Sequence, residues 1–432
     1  MTALPRVGVL HAPFGAGNLR DIWVQARGVC QAVMLFREDI AGAHPDIVDM
    51  ARALFETEVV GDDLTRTVAD RGLAGLTTFH DSQLDFVDEA LCDLALPGAP
   101  GTVAPWDKLV QRRQFAERGL SAIRAAAVDS PRDLAAAVEV VGFPGVLKPR
   151  RAARGTGIAF LAGPDDVAYQ TEHRDGWEGL VYEGEIPSGE HPSGVSWLAD
   201  FVSVETVSVG REHRHVALFD KAPMSIVPRT GPDGADSVNT TGDITPSRLP
   251  AADLDAVLRL VSDALDALGV NSRVTHTELR VTGAGADIIE INGRAGGHMT
   301  QVLRLLDGPN LIRPALHVAL GLDPGVPPPM RPGYAAGLFV PFPERHGVVR
   351  SDVRPAELRA LPGVVGVDEV AEVGDERSET GFRVATVTLR AQDADVFDRQ
   401  VLATVEGIAR LFEADGLLDD PWLRRVLSSS PV

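Results

Sequence analysis

One stretch of the chain concentrates residue types that could do chemistry. It reads Thr275-His276-Thr277-Glu278-Leu279-Arg280-Val281, then Gly283-Ala284-Gly285, then Asp287-Ile288-Ile289-Glu290-Ile291-Asn292. Alternation on either side of a glycine-rich turn predicts a β-hairpin. Side chains repeat with period two along a strand, so His276, Glu278 and Arg280 share one face of the first strand, and Glu290 and Asn292 share one face of the second. The antiparallel register that matches those faces sets Glu278 opposite Glu290. Directly opposed like charges destabilise a sheet, so either solvent separates the two carboxylates or a cation sits between them. Two carboxylates and the Asn292 amide form a hard-oxygen donor set suited to Mg²⁺ held jointly with phosphate groups. A solvated acidic face is the alternative.

Immediately beyond comes Gly293-Arg294-Ala295-Gly296-Gly297-His298. A guanidinium here could stabilise an oxyanion beside a metal, and the paired glycines would let a ligand approach the backbone. A tight turn explains the glycines equally well, though not the position of Arg294 two residues beyond the candidate ligands. A second chemical stretch, Gly145-Val146-Leu147-Lys148 followed by Pro149 to Gly157, reads as a strand ending in lysine and a basic, glycine-containing loop. Such a loop can close over phosphates with backbone N–H groups and positive charge. It is not a Walker A loop, since no lysine of the chain stands in that pattern. Of the 41 basic residues only Lys108, Lys148 and Lys221 are lysine. An ammonium is a compact point charge that guanidinium does not copy in a tight phosphate pocket, which singles these three out.

The elements that must position these groups follow from patterning. Val7 to His11, Ala32 to Phe36, Glu58 to Val60 and Gly75 to Phe79 read as strands and Asp85 to Leu94 as a helix, a βαβ pattern that implies a parallel sheet. The loop Phe14 to Asn18 has Arg20 at the sixth position of a dinucleotide fingerprint and reads as a plain strand-to-helix turn. Pro97 to Pro105 marks a boundary. A second unit holds a helix from about Asp107 to Arg118 and strands Gly145 to Lys148 and Gly157 to Leu161. Its Asp253 to Leu268 segment has helical apolar spacing and Gly269 at the C-terminal cap. Pro324 to Pro332 reads as a linker. Beyond it, strands Gly337 to Phe342 and Arg383 to Arg390 and a helix through Phe397 and Phe412 form a small α+β cap, and the Ser428 to Ser430 tail frays. His213 and His215 read as a solvated turn rather than a metal site. With 432 residues, 44% apolar and 24% charged, the chain is an ordinary globular protein. A net charge of −20 opposes binding to nucleic acid or an anionic membrane surface. No apolar run is long enough to span a bilayer. Cys30 and Cys92, expected as buried and inert thiols, are too few for a disulfide framework, which fits a cytoplasmic location.

Taken together, Lys108 opening a helix, Lys148 before a glycine loop, Glu183-Gly184-Glu185-Ile186 after an apolar strand, and Glu278 followed by Glu290-Ile291-Asn292-Gly293-Arg294 resemble the ATP-grasp superfamily over about residues 1–325. The run Phe201 to Lys221, with Val204 to Val209, and Glu290 to Gly297 look most like its carboxylate–amine ligases of the L-amino-acid (dipeptide) ligase type. The resemblance implies an α/β and α+β architecture: a Rossmann-like N-terminal domain (1–102), an ATP-grasp domain (103–325) and a C-terminal α+β subdomain (333–425). It implies ATP with Mg²⁺ or Mn²⁺, small carboxylate and amine substrates, and a homodimer as one possible assembly. Lys108 and Lys148 would contact ATP phosphates, Gly155, Thr156 and Gly157 would form the lid, and backbone groups of Glu183 and Ile186 would hold adenine, with Asp200 the candidate for ribose. Glu278, Glu290 and Asn292 would bind the metal. Arg294 would stabilise the acyl phosphate and tetrahedral intermediate, Lys221 would stand near the γ-phosphate or the carboxylate, and Glu205, His276, Gly296 and Gly297 would line the substrate pocket. Glu205 and His276 fit a purely structural role as well. The expected reaction joins an acid, expected to be an amino acid, to an amine through an acyl phosphate. A carboxylase acting on bicarbonate and a nucleotide-binding regulator without turnover are the alternatives.

Overall fold

The computed structural model describes residues 3–152, 155–229, 234–343, 348–376 and 383–427. Arg154 of the basic loop and the Ser428 to Ser430 tail lie outside the described residues. Near the N-terminus, β1 (Arg6–Leu10), β2 (Gln31–Arg37), β3 (Glu56–Val60) and β4 (Gly75–Thr78) form a parallel sheet in the order β3-β2-β1-β4. The central strands β1 and β2 are buried, as expected when helices cover both faces of a parallel sheet. The Phe14 to Asn18 segment is a turn, closed by a bond from Ala16 N to the Phe79 carbonyl. After β4 comes a 3₁₀ turn, Asp81–Gln83, that leads into the helix Leu84–Asp93.

A second sheet, antiparallel in the order β5-β8-β6-β7, is made by β5 (Ala125–Val128), β6 (Gly145–Pro149), β7 (Ala159–Leu161) and β8 (Leu180–Gly184). The helix Lys108–Glu117 precedes it, and Asp107 caps that helix by accepting from Leu109 N and Val110 N. Asp107 also pairs with Arg150 at 2.7 Å, which ties the loop after β6 to the start of the helix. Strand β7 begins at Ala159 rather than Gly157, because Gly157 has φ +72°. A Cβ there would also lie 2.9 Å from Pro149.

The rest of the chain builds one eight-stranded sheet in the order β15-β14-β9-β10-β13-β16-β18-β17. Its strands are β9 (Phe201–Val209), β10 (Glu212–Lys221), β13 (Gly242–Thr245), β14 (Val274–Thr282), β15 (Gly285–Asn292), β16 (Tyr334–Pro341), β17 (Val364–Val370) and β18 (Arg383–Ala391), while β11 (Ser225–Val227) and β12 (Ser237–Asn239) form a separate hairpin. All pairings in the large sheet are antiparallel. The C-terminal strands expected in the small α+β cap continue this sheet. β16 pairs along β13 and supplies the partner that the edge of β13 would otherwise lack. One face of β9, β14 and β15 packs Val202, Val204, Leu279, Ile288 and Ile291 against Val257, Val261 and Leu265 of the helix Ala251–Ala267. The opposite face carries the polar Ser203, Glu205, His276 and Glu278, with Val207 and Val274 at its apolar end.

Two smaller expectations change. Cys30 is buried, but Cys92 is exposed on its helix. His213 and His215 lie on β10 rather than in a turn, half-buried, bonded to Ser208 (2.8 Å) and Thr206 (2.9 Å) of β9. Those hydroxyls occupy their Nδ1 atoms, and among the described residues no group of three or more His, Cys, Asp or Glu is arranged to hold a metal ion.

Candidate active site

The hairpin β14–β15 has the expected register at its functional end: Glu278 stands opposite Glu290 and His276 opposite Asn292. Beyond Glu278 the register slips at a β-bulge containing Ile289, so that Leu279 meets Ile288 and Arg280 meets Asp287. Alternation alone does not reveal such an insertion, which re-aims side chains beside functional sites. The bulge is held from outside by Arg112, whose Nη1 and Nη2 donate to the carbonyls of Ile288 (2.5 Å) and Ile289 (3.0 Å). Gln111 closes the free edge of β15 by exchanging bonds with Ile291 N and O at 2.9 and 2.7 Å.

Register carries the polar face inward across the sheet. Glu278 lies beside Ser203 of β9, and His276 beside Glu205. Lys221 of β10 faces Asp243 of β13. His276 is bonded to Glu205 through Nδ1 and to Glu278 through Nε2 (3.1 Å). Burial alone would lower its pKa, but the two carboxylates outweigh burial and raise it to about 9, so it stands as an imidazolium. The other Glu205 oxygen accepts from Gly296 N at 3.0 Å. A Cβ on Gly296 would fall 2.5 Å from His276 Nδ1 and 2.7 Å from Glu205 Oε1, which explains a glycine there by close approach. Gly297 is exposed.

Each expected cation of the site is paired with a carboxylate. Lys108 Nζ lies 3.0 Å from Glu290 Oε2 and also donates to the Ala152 carbonyl. Lys148 Nζ lies 2.6 Å from Glu183 Oε1. Glu183 is gripped by Arg112 as well, through Nε (2.8 Å) and Nη2 (3.0 Å). Burial by itself would raise the Glu183 carboxyl, yet Arg112 and Lys148 hold it at about 2. Burial pushes Lys148 below its ordinary value, with Arg112 and Lys108 adding to that against the pull of Glu183. Glu290 is held at about 2 because Lys108 and Lys148 overcome its desolvation. Arg294 pairs with Asp81 through Nη2 and donates from Nη1 to the Ala295 carbonyl. Lys221 pairs with Asp243 at 2.6 Å, and its side chain is 2% exposed.

The adenine- and ribose-side residues are placed as follows. Glu183 is in β8, between Ala125 of β5 and Val146 of β6, so its peptide is part of the ladder, whereas Ile186 lies beyond the strand end. Gly155 has φ +67°, and a Cβ there would fall 2.6 Å from the Val238 carbonyl of β12; Thr156 is exposed. Asp200 accepts from Gly189 N (2.7 Å) and Arg280 Nη1 (3.4 Å), so its carboxylate already anchors the preceding Pro/Ser/Gly-rich segment. Sequence reading missed Arg112 and Asp81. Arg112 lies one helical turn after Lys108 and hence on its face, a signal that was available. Asp81 is separated from Arg294 by 213 positions, and no local pattern connects them.

The donor set fits a divalent cation. Glu278 and Glu290 are in register with Asn292 on the same side, and Asn292 Nδ2 bonds Glu290 at 3.0 Å, which leaves its amide oxygen unused by that contact. Two carboxylates and one amide oxygen match Mg²⁺, which keeps positions for phosphate oxygens and water.

No family model matches the chain. It is 24% identical over 257 residues to the alanine–anticapsin ligase of Bacillus subtilis (strain 168), which covers 55% of this chain and 52% of that protein. It is 27% identical over 252 residues to human carnosine synthase 1, covering 56% of this chain and 29% of that protein. The chain thus spans about half, or less, of the length of these relatives. Among solved structures, the L-amino acid ligase from Bacillus licheniformis superposes with a TM-score of 0.68 at 18% identity, covering 96% of this chain and 98% of that one. Over nearly its whole length the chain therefore has the fold of ATP-grasp enzymes.

Proposed function

We propose that the chain is an ATP-dependent carboxylate–amine ligase. The γ-phosphoryl group passes from ATP to a carboxylate oxygen, most simply that of an amino acid, and ADP leaves. An amine nitrogen then attacks the acyl carbon, the bond to phosphate breaks, and the products are an amide or dipeptide and inorganic phosphate, with the amine's proton lost to solvent. The observation that carries this reading is the convergence of the opposed Glu278 and Glu290 with Lys108 and Arg294. Binding without turnover has no need of that combination.

The residues divide the work by position. Lys108, paired with Glu290, and Lys148, paired with Glu183, are compact cations suited to phosphate oxygens. Lys148 and Glu183 bring the small sheet, whose β6–β7 loop carries Gly155, Thr156 and Gly157, to the nucleotide. Glu278, Glu290 and Asn292 would hold Mg²⁺, which supplies charge neutralisation for a transferring phosphoryl group. Arg294 has five N–H donors and uses two in its contacts to Asp81 and Ala295, so the rest can meet an acyl oxyanion. Glu205, His276 and Gly296 form a fixed, charged wall beside it, suited to an amino-acid substrate. Lys221, buried on Asp243, supports the sheet at this face and would reach a ligand only by leaving its partner.

The test is a phosphate-release screen over pairs of amino acids with ATP and Mg²⁺, with bicarbonate as an alternative acid. The reading expects release that needs both an acid and an amine and that is lost in Glu290→Gln. Release that needs only bicarbonate would favour a carboxylase, and ATP binding without any release would favour a regulator.

A further inference from the structure

The guanidinium of Arg294 is held from outside its own sheet. Arg294 stands two residues after the end of β15, and the segment that follows β4 holds this turn directly through Asp81 and indirectly through Trp106. Asp81, at the head of the 3₁₀ turn, accepts from Arg294 Nη2. Asp88, on the helix Leu84–Asp93, accepts from Trp106 Nε1 at 2.6 Å. The Trp106 indole lies so close to Gly293 that a Cβ there would fall 2.3 Å from the ring. Backbone and side chain of the turn are therefore both fixed by contacts that lead back to the N-terminal unit.

The Asp81 carboxylate touches Arg294 and also acts on Lys108 through its charge. The turn it opens is capped by His80, whose Nδ1 accepts from Ser82 N. Asp81 Oδ2 bonds Arg294, while Oδ1 is buried with no protein partner among the described residues. A buried acceptor without a partner is unfavourable for folding. Its side-chain bond is made to Arg294, whose side chain, like that of Asp81, is 14% exposed.

We propose that Asp81 is a positioning residue for catalysis. Its carboxylate takes one edge of the Arg294 fork and sets the plane of the guanidinium, so that the unengaged N–H groups are presented in one orientation to the reacting acyl group. This rests on the ligase reading above. An arginine that lost this restraint would still carry its charge but would have to be ordered in each transition state, a loss that falls on kcat rather than on nucleotide binding.

The experiment uses the full chain and compares wild type with Asp81→Asn, Asp81→Glu, Arg294→Ala and the double variant Asp81→Asn/Arg294→Ala. Asp81→Asn is expected to lower kcat by about tenfold to a hundredfold, with KM for ATP within about twofold of wild type. Asp81→Glu is expected to recover part of the loss, and the double variant to be no slower than Arg294→Ala alone. A second readout is independent of turnover: the rate at which phenylglyoxal modifies Arg294, followed by peptide mass spectrometry, should rise severalfold in Asp81→Asn. Unchanged kcat in Asp81→Asn, additive losses in the double variant, or equal modification rates would each overturn the proposal. If wild type turns over no acid and amine with ATP, the ligase reading falls, and the modification rates still decide whether Asp81 restrains Arg294.

Discussion

Glu183→Gln removes one negative charge from a cluster in which a single carboxylate serves two buried cations. The side chains of Arg112, Lys148 and Glu183 are 3%, 7% and 4% exposed, so solvent screens none of them. The Glu183 carboxyl is held at about 2 against an ordinary 4.5, a difference worth about 3 kcal/mol of folding free energy at neutral pH. Breaking a buried pair by deleting one partner typically costs about 3–5 kcal/mol, because the remaining charge is stranded. Urea denaturation at pH 7 should therefore show Glu183→Gln less stable by about 3 kcal/mol or more. The sign with pH follows from a depressed carboxylate. Its stabilisation is complete above the unfolded value near 4.5 and is lost as pH falls toward 2, so the gap between wild type and variant should narrow across that window. Adding Lys148→Met should recover part of the loss by removing one stranded cation whose partner is Glu183 alone. A Glu183→Gln protein within about 0.5 kcal/mol of wild type at pH 7 would refute the reasoning, because a surface pair of no structural weight behaves that way.

Two further substitutions test the site itself. Lys148→Arg should lower turnover by about a hundredfold, comparable to losing one preorganised oxyanion donor, because Arg112 already occupies both oxygens of Glu183 and leaves no room for a second fork. Steady-state rates equal to wild type would mean that charge alone suffices there. Gly296→Ala should cost about 1–3 kcal/mol in a chemical melt through overpacking, and activity should fall further than stability, since the new methyl group is forced against both His276 and Glu205. A fully active Ala variant would show that this wall is not in contact with substrate.

The hairpin was legible because its information is local. Strict alternation about a glycine turn fixed which residues share a face, and the pairing of Glu278 with Glu290 followed from period two. The same reasoning fails one residue toward the turn, where the bulge at Ile289 shifts Leu279 onto Ile288 and Arg280 onto Asp287. An extra residue in one strand leaves the alternation on each side intact, so the slip has no signature in composition. The C-terminal strands were readable as strands but not as continuations of the central sheet, since edge pairing between β13 and β16 joins segments some ninety residues apart. The three lysines stood out by their scarcity, and the structure gives each a carboxylate partner that could not be named in advance. Glu183 was expected to offer its backbone, yet its side chain turns out to be the center of a buried ion cluster. Long-range partners such as Asp81 and Arg112 are set by packing between units, which a linear pattern does not encode.

The central claim is the acyl-phosphate route, and its most direct measurement follows oxygen. With ¹⁸O in the carboxylate of the acid substrate, the ligase account predicts that one labelled oxygen appears in the released inorganic phosphate, with ADP formed one for one with amide product. Label recovered in AMP, with pyrophosphate released, would contradict it.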